Sequence, residues 1–275
     1  MTAINKSFFS ARSMQDFLEC PRRFELRYML QQSWPAPVSE PVLLYEERIR
    51  VGNEFHRIIQ KYLIGIDLNR LLGASGNPEI NQWLNAFHSF FTQLQIRSYF
   101  SELPLIMPFN NVFFRGVVDF AGLKADNKLL IADWKTTFHP RRKDTILKSI
   151  QSILYPFMIF ECRETVFPGW KGKPEDLEMI YWFADQPEEV ISLDYSQKIH
   201  EKNSEILSML VETIIRTEPG SFQKTENAKK CMYCEYRSLC ERGDKAGTID
   251  ELDDEIDFDL LITGLNFGDV MEIPL

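Results

Sequence analysis

The chain has 275 residues, of which 44% are hydrophobic and 26% are charged, and its formal net charge is −9. These are the values of an ordinary globular protein, so the composition excludes a wholly disordered chain, a collagen-like repeat and a small disulfide scaffold. The length allows one large domain or two small ones with a buried core. An acidic total also argues against a nucleic-acid partner, but only if the charge is spread evenly.

The negative charge is concentrated at one end of the sequence. From Asp244 to Leu275 there are ten acidic residues and one basic residue, so this segment alone carries −9. The first 243 residues balance 30 basic against 30 acidic residues, and a neutral body can still carry basic patches. We predict one globular domain at 1–243 and an acidic, flexible tail at 244–275 that docks a partner or mimics DNA.

The sequence predicts a cytoplasmic protein. No apolar secretion signal is visible at its start, and no run of about 18 apolar residues is long enough to span a membrane. Five cysteines in such a chain indicate a reducing compartment, where cysteines more often bind metals or do chemistry than form disulfides.

The predicted elements begin with helices and continue with strands. The helices of the first hundred residues are expected at 7–30, broken near Pro21, at 45–64 and at 79–97, with a loop at 32–41. Three β-prone segments follow and are expected to pair as consecutive antiparallel strands, at 103–107, 112–121 and 128–134. The remaining elements are a helix at 145–160, strands at 178–183 and 189–193, and a helix at 195–216. The pattern is mixed α/β.

The three-strand segment carries two carboxylates and a lysine. Asp119 is predicted to end one apolar strand, and Asp133 and Lys135 stand two apart on the next. Because side chains alternate along a strand, Asp133 and Lys135 share one face with Trp134 on the other, and a hairpin can bring Asp119 opposite Asp133. Such a site suits Mg²⁺ or Mn²⁺, with a lysine that assists water attack on a phosphodiester. The alternative is a set of ordinary hairpin charges in which Lys135 pairs with an aspartate.

Two further features lie on predicted helices. His56, in GNEFHRIIQKY, is by itself an ordinary core or surface histidine, although a neutral imidazole can complete a divalent-metal site beside two carboxylates. Gln151 and Tyr155 are four residues apart and share one helix face. They are either a half-buried polar pair or, next to a metal site, contacts for a substrate phosphate or base.

These motifs, in this order, resemble the RecB-type branch of the PD-(D/E)XK nuclease superfamily. The matching sequences are G-x-x-x-H at Gly52 and His56, G-V-V-D at 116–119, D-W-K at 133–135 and Q-x-x-x-Y at Gln151 and Tyr155. The resemblance implies a restriction-endonuclease-like α/β core, with His56, Asp119 and Asp133 as metal ligands and Lys135 as the catalytic lysine. It also implies that Gln151 and Tyr155 lie near the active site, and it matches Glu102 to a family acid on the preceding strand.

A second cluster consists of cysteines near the end of the predicted globular part. Cys231, Cys234 and Cys240 form C-x2-C-x5-C, and one more thiolate would close a tetrahedral site. Cys20 is the best candidate for the fourth ligand, whereas Cys162 on an apolar helix is expected to be a plain buried thiol. The spacing alone leaves zinc and iron–sulfur open.

The family resemblance favours iron–sulfur at this cluster. AddB-type nuclease domains and the Cas nucleases of CRISPR adaptation carry one N-terminal and three C-terminal cysteines that hold a [4Fe–4S] cluster, and the opening SARSMQDFLECPRRF is similar to their first-cysteine motif. By this resemblance Cys20, Cys231, Cys234 and Cys240 are the cluster ligands. The cluster would tie the two ends of the domain together and be mainly structural.

Basic residues form local groups despite the neutral sum. The groups are Arg22, Arg23 and Arg27 near Cys20, Arg141, Arg142 and Lys143 after the D-W-K strand, and Lys229 with Lys230 before Cys231. Each is either solvated surface charge or a DNA contact. The Arg141 group follows Lys135 within one short loop, so it is placed to clamp phosphates beside the metal.

The resemblance implies a metal-dependent DNA nuclease, and we expect an exonuclease on single-stranded or end-exposed DNA in repair or recombination. A motor's phosphate-binding loop, G-x-x-x-x-G-K-[ST], is missing from the sequence, so a separate helicase is an expected partner. The first alternative is a CRISPR-adaptation nuclease that trims DNA before integration. The second is a catalytically silent iron–sulfur module that binds DNA or serves as a scaffold.

Overall fold

The computed structural model describes residues 8–34, 40–136 and 143–244, without the side chains of 40–46. The chain forms two compact units. The sheet unit combines Met1–Met14 with Val51–Arg216, and the cysteine unit combines Gln15–Arg50 with Thr217–Leu275. The predicted division into one domain at 1–243 and a tail at 244–275 stays a prediction, because nearly all of the tail lies outside the described residues.

The sheet unit is built on one mixed sheet. Its strands are β1 (Phe8–Phe9), β2 (Ile96–Phe109), β3 (Val112–Lys124), β4 (Leu129–Lys135), β5 (Leu177–Phe183) and β6 (Val190–Asp194). They are ordered β1-β3-β4-β5-β6, and β2 pairs with β3. Strands β2, β3 and β4 form the predicted antiparallel meander, β4 and β5 are parallel, and β5 and β6 are antiparallel. The predicted α/β fold class, with its three-strand meander, is therefore confirmed.

The described ranges also contain nine α-helical segments, some of them of a single turn. They are α1 (Ala11–Glu19), α2 (Pro21–Phe24), α3 (Glu40–Leu63), α4 (Leu68–Leu71), α5 (Pro78–Gln93), α6 (Lys143–Leu147), α7 (Ile150–Glu161) and α8 (Arg163–Val166), and α9 (Gln197–Arg216) follows β6. The crossover between the parallel strands β4 and β5 contains α6, α7 and α8, as a parallel connection requires. None of the described helices has the length and apolar character needed to cross a membrane.

An aromatic core holds α3 and α5 of the sheet unit against the sheet. Phe55 of α3 and Phe87 of α5 are fully buried against Trp134 of β4 and Trp182 of β5. The ring centroids of Phe87 and Trp134 are 4.9 Å apart in an edge-to-face arrangement. Each such side chain contributes roughly 1.5–3 kcal/mol through its burial. Trp134 thus points into this core, on the opposite face from Asp133 and Lys135, as strand alternation predicts.

The described part of the cysteine unit consists of helical segments and turns. Its N-terminal part continues from α2 into a π-helical turn, Glu25–Met29, and its C-terminal part contains a short 3₁₀ turn, Ala228–Cys231. The two parts are joined by hydrogen bonds between distant residues: Trp34 Nε1 donates to Ser238 Oγ at 2.7 Å, and the Tyr236 hydroxyl donates to the Gln32 carbonyl at 2.9 Å. Aromatic contacts between Phe24 and Phe222 add to this.

Several element boundaries differ from those predicted. Residues 8–9 form β1 rather than the start of a helix, because they pair in parallel with β3. The helix expected to reach residue 97 ends at Gln93, and the left-handed Gln95 (φ 51°) turns the chain into β2, which is longer than predicted. The helix expected at 145–160 is two helices, because Ser149 caps α7 by accepting a hydrogen bond from the Ser152 N–H.

Candidate active site

The two aspartates of the meander lie on adjacent strands. The sequence analysis predicted that Asp119 ends its strand. In the structure it stands within β3, which continues to Lys124. The β3–β4 register pairs Phe120 with Ala132, so Asp119 comes next to Asp133 one step further along. The Trp134 backbone N–H donates to Asp119 Oδ2 at 2.9 Å. The sheet therefore fixes the position of both carboxylates.

Three side chains from different elements converge to form a possible metal site. The ligand atoms of His56 (α3), Glu102 (β2) and Asp119 (β3) all lie within 4.8 Å of one another. His56 Nδ1 is 3.7 Å from Asp119 Oδ2 and 4.0 Å from Glu102 Oε1. Glu102 has a left-handed backbone, with φ of 49°, inside a strand. Such strain costs about 1–3 kcal/mol and concentrates at functional sites.

Two glycines of the sequence motifs make room for this arrangement. A Cβ atom at Gly52, one turn before His56, would come within 2.5 Å of Thr136 Oγ1, directly after Lys135. A Cβ atom at Gly116 would lie 3.1 Å from Cε1 of Tyr155. Glycine at both positions therefore lets α3 and the Tyr155 ring approach the meander closely.

Asp133 forms a second group with Lys135 and Gln151, beside the first group of His56, Glu102 and Asp119. It is 3% exposed, and its Oδ2 lies 2.7 Å from Lys135 Nζ, while Gln151 Nε2 donates to its other oxygen. Lys135 Nζ also donates to Gln151 Oε1 at 3.1 Å. The predicted pairing of Lys135 with an aspartate is present, but Gln151 completes the arrangement, so the set is more than a simple hairpin ion pair.

Two tyrosines border the second group. Lys135 Nζ lies 5.6 Å from the ring centroid of Tyr181, which is the residue paired with Asp133 on β5. The Tyr181 hydroxyl hydrogen-bonds with Ser152 Oγ at 2.8 Å. Burial, together with the charges of Asp133 and Asp119, raises the pKa of Tyr155 well above its usual range. Both carboxylates therefore act electrostatically on Tyr155, and its place in the active site stays a prediction.

Two carboxylates lie close together in the first group, which consists of His56, Glu102 and Asp119. Burial raises the pKa of Asp119 to about 7, and the Asp133 and Glu102 carboxylates add to the rise, whereas His56 opposes it. Burial also raises the pKa of Glu102. Carboxylates that repel one another, together with an imidazole, are a donor set suited to a divalent cation. The residues at this site therefore fit the metal that the sequence predicts.

The metal ligands predicted from the sequence and the three residues that converge in the structure have two residues in common. His56 and Asp119 are in both, Glu102 joins them in the structure, and Asp133 is instead held by Lys135 and Gln151. The roles of all these residues stay predictions. Sequence reasoning found Glu102 only through the family match, because a strand acid between Ser101 and Leu103 has no distinctive local pattern. Tyr181 was missed, since its position opposite Asp133 depends on parallel pairing between strands 48 residues apart in sequence.

The four predicted cysteine ligands line one pocket of the cysteine unit. Cys20, Cys231, Cys234 and Cys240 surround it, together with basic side chains that include Arg23 and Lys224. Burial raises the pKa of Cys234 to about 11, and Arg23 is the strongest influence in the opposite direction. Cys162, by contrast, caps α7 in the sheet unit and is half-buried rather than fully buried. Four cysteines that line one pocket among basic side chains are donors of the kind that a thiolate-bound group requires.

The basic residues predicted to contact DNA have different environments. Arg141 and Arg142 lie outside the described residues, and Lys143 is exposed at the start of α6. Arg22 pairs with Glu25. Arg23 is 2% exposed and pairs with Asp16 and Glu19, so the expected DNA contact is replaced by an internal ion pair.

The fold and the site define a class of protein. A mixed sheet that carries paired carboxylates and a lysine on adjacent strands, with a helical histidine beside them, is a framework for metal-dependent hydrolysis. The chain matches the sequence model of the PD-(D/E)XK nuclease superfamily over residues 9–241 and belongs to that family. The class of enzyme is therefore a nuclease.

Two solved structures resemble the chain. The protein SSO0001 is 11% identical, with a TM-score of 0.40, and 88% of each chain is covered. A candidate exonuclease from Eubacterium rectale is 11% identical, with a TM-score of 0.47, covering 89% of this chain and 91% of that one. No curated protein matches the sequence. The family assignment rests on the sequence match, because both TM-scores are below 0.5.

Proposed function

We propose that the chain is a divalent-metal-dependent deoxyribonuclease that acts on single-stranded or end-exposed DNA, with exonuclease action as the expected mode. One observation carries the proposal: His56, Glu102 and Asp119 converge beside the Asp133–Lys135–Gln151 group, although the six residues come from five separate elements. This arrangement supports both a cation site and a lysine fixed beside it. A scaffold without catalysis would need neither.

His56, Glu102 and Asp119 would hold Mg²⁺ or Mn²⁺, with Asp133 as the further ligand that the sequence motif predicts. When bound, such a cation offsets the charge of a phosphodiester and lowers the pKa of an attacking water. The Trp134 N–H fixes Asp119, and Gln151 together with Lys135 fixes Asp133. The site is thus held in place before substrate arrives, which is the main requirement for electrostatic catalysis.

Lys135 performs the protein's own part of the chemistry in this proposal. Its ammonium group is held between Asp133 and Gln151, with the Tyr181 ring on one side. From there it donates hydrogen bonds to a non-bridging phosphate oxygen or orients the attacking water. Hydrolysis then leaves a 5′-phosphate and a 3′-hydroxyl, as the family resemblance implies.

We also propose that Cys20, Cys231, Cys234 and Cys240 hold a [4Fe–4S] cluster rather than zinc. The shared pocket with its basic lining supports a thiolate-bound group, and the first-cysteine motif supports iron–sulfur. The visible absorption spectrum of anaerobically purified protein, with iron and acid-labile sulfide assays, tests this directly. A colourless protein that contains zinc would reject the cluster.

DNA repair or recombination is the role we favour on the family resemblance, with DNA trimming in CRISPR adaptation as the alternative. A helicase or another repair or CRISPR protein is the proposed partner, with the acidic segment at 244–275 as its docking site. Pull-down of such a partner by full-length protein, but not by protein lacking 244–275, tests this.

The nuclease proposal is tested with end-labelled single-stranded and double-stranded DNA in Mg²⁺, Mn²⁺ or EDTA. Lys135→Met should lower the cleavage rate by about 100- to 1000-fold, because it removes a positioned charge at the reacting phosphate. The matched control is Lys128→Met, which changes an exposed lysine of the same strand hairpin and should leave the rate unchanged.

The outcomes separate the alternatives. Wild-type protein that binds DNA but does not cleave it with either metal would favour the scaffold alternative. Cleavage that Lys135→Met leaves intact would reject the assigned mechanism while keeping the nuclease. Labels at either end distinguish 5′ from 3′ polarity, and a circular single strand distinguishes exonuclease from endonuclease action.

A further inference from the structure

A buried arginine lies beside the four cysteines. Arg23 is 2% exposed and is among the largest fully buried side chains of the described chain. It lines the same pocket as Cys20, Cys231, Cys234 and Cys240. A guanidinium is not deprotonated in proteins, so a permanent positive charge borders this pocket.

The hydrogen bonds of Arg23 are incomplete. Its Nη2 lies 2.8 Å from Asp16 Oδ1 and 2.5 Å from Glu19 Oε2. Its Nε–H has no hydrogen-bond partner within the described residues, although it is inaccessible to solvent. A buried donor without a partner costs about 1–3 kcal/mol, so native proteins seldom leave one unsatisfied.

A second arginine shows that the ion pairs alone do not explain Arg23. Arg27 pairs with the same aspartate, Asp16, at 2.6 Å, and with Glu235 at 2.6 Å. Arg27 uses Nε as well, because this atom donates to Glu235 Oε1 at 3.1 Å. Arg27 does not line the cysteine pocket. The two arginines thus share a carboxylate, but of the two only Arg23 lines the pocket and has an Nε–H without a partner among the described residues.

We propose that Arg23 is a positioning residue for the group held by the four cysteines, with its Nε–H donating to a cysteine thiolate or to an inorganic sulfide of that group. The inference rests on the proposed cluster. Four thiolates bring negative charge into a buried pocket, and the Arg23 charge offsets part of it. Hydrogen bonds to sulfur and net charge both set the reduction potential of iron–sulfur clusters. Arg23 should therefore strengthen retention of the cluster and raise its midpoint potential.

The test compares four full-length proteins purified without oxygen: wild type, Arg23→Met, Arg23→Lys and Arg27→Met. Three quantities are measured: iron and sulfide per chain, the rate of iron release to a ferrous chelator, and the midpoint of one-electron reduction by dithionite in the presence of redox dyes. We expect Arg23→Met to release iron about 10- to 100-fold faster and to have a lower midpoint potential. Arg23→Lys keeps the charge and should be intermediate.

Arg27→Met is the matched control, because it removes an ion pair to Asp16 from a residue that does not line the pocket. Unchanged iron release and midpoint in Arg23→Met would overturn the inference. Equal effects of Arg27→Met and Arg23→Met would also overturn it, since loss of the ion-pair network would then explain both. If Arg23→Met does not fold, as judged by circular dichroism, the Arg23→Lys comparison carries the test. Wild-type protein without iron and sulfide would reject the cluster, and the inference with it, through a result distinct from those above.

Discussion

The carboxylate site and the cysteine pocket carry opposite electrostatic environments. In the sheet unit, Asp119, Glu102 and Asp133 crowd together, and repulsion with burial raises the pKa of Asp119 to about 7. In the cysteine unit, four cysteines share a pocket with Arg23, Lys224 and other basic residues. The first region is short of positive charge and the second can accept negative charge. The difference matches the two proposals made above, a cation at the carboxylates and a thiolate-bound group at the cysteines.

The two regions also differ in how they are assembled. The carboxylate site depends on strand register, because Asp119, Asp133 and Tyr181 are brought together by the β3–β4 and β4–β5 pairings. The cysteine pocket has three ligands within ten residues and needs only one distant residue, Cys20. The first region is therefore sensitive to backbone shifts of regular elements. The second is sensitive to the contacts that hold its two ends together.

Removing the charge of Asp119 should have the largest effect and should act in opposite directions on activity and stability. Asp119→Asn should lower DNA cleavage by about 1000-fold. It should also stabilise the metal-free protein by about 1–2 kcal/mol, because the amide still accepts the Trp134 hydrogen bond without adding a like charge. Cleavage rates and urea unfolding in EDTA measure the two effects. A destabilised variant would contradict the proposed charge crowding.

The pH dependence follows from the same carboxyl group. Its pKa is about 7 in the folded protein against its usual value of 3.8, so the folded state binds the proton more tightly. In EDTA the wild-type protein should therefore lose stability as the pH rises from about 4 to 7, with no further loss from this group above that range. Asp119→Asn should flatten this slope. Parallel slopes in both proteins would contradict the assignment.

Breaking the cysteine pocket should come next in size. Cys20→Ser should lose most of its iron and lower the thermal unfolding midpoint by about 5 °C or more, because the link between residues 20 and 231 restrains a long loop. Cys162→Ser is the control, since this thiol lies in the sheet unit outside the pocket. Iron assays and thermal unfolding followed by circular dichroism give the comparison. Equal iron contents in the two variants would argue against Cys20 as a ligand.

A small backbone shift should have a moderate effect on the carboxylate site. Gly52→Ala places a methyl group against Thr136 Oγ1, so we expect α3 and His56 to move and cleavage to fall by about 10-fold. The double variant Gly52→Ala, Thr136→Ala removes the clashing oxygen and should recover most of the activity. A double-mutant cycle on the cleavage rate measures this coupling. Additive losses would show that the close approach is not the cause.

The contact between Lys135 and Tyr181 should have the smallest effect. Tyr181→Leu removes the ring below the ammonium, and we expect kcat to fall by about 3- to 10-fold with little change in KM. Tyr181→Phe keeps the ring and loses only the hydrogen bond to Ser152, so it should retain nearly full kcat. If the phenylalanine variant is as slow as the leucine variant, the hydroxyl rather than the ring supports Lys135.

The sequence by itself determined the local framework of this protein. Alternation along β4 assigned Asp133 and Lys135 to one face and Trp134 to the core, because the two-residue period of a strand needs no tertiary information. The apolar segments and their turns likewise predicted the three-strand meander. The spacing of Cys231, Cys234 and Cys240 indicated a common site, although not which metal it holds.

Only the tertiary structure decided which distant residues join these local patterns. Glu102 reaches His56 and Asp119 through the pairing of β2 with β3, and Tyr181 reaches Lys135 through a parallel crossover. Arg23, which the sequence suggested as a surface contact for DNA, is buried against Asp16 and the cysteine pocket. The physical reason is common to all three: burial and pairing partners depend on long-range register and packing, which a local residue pattern does not encode.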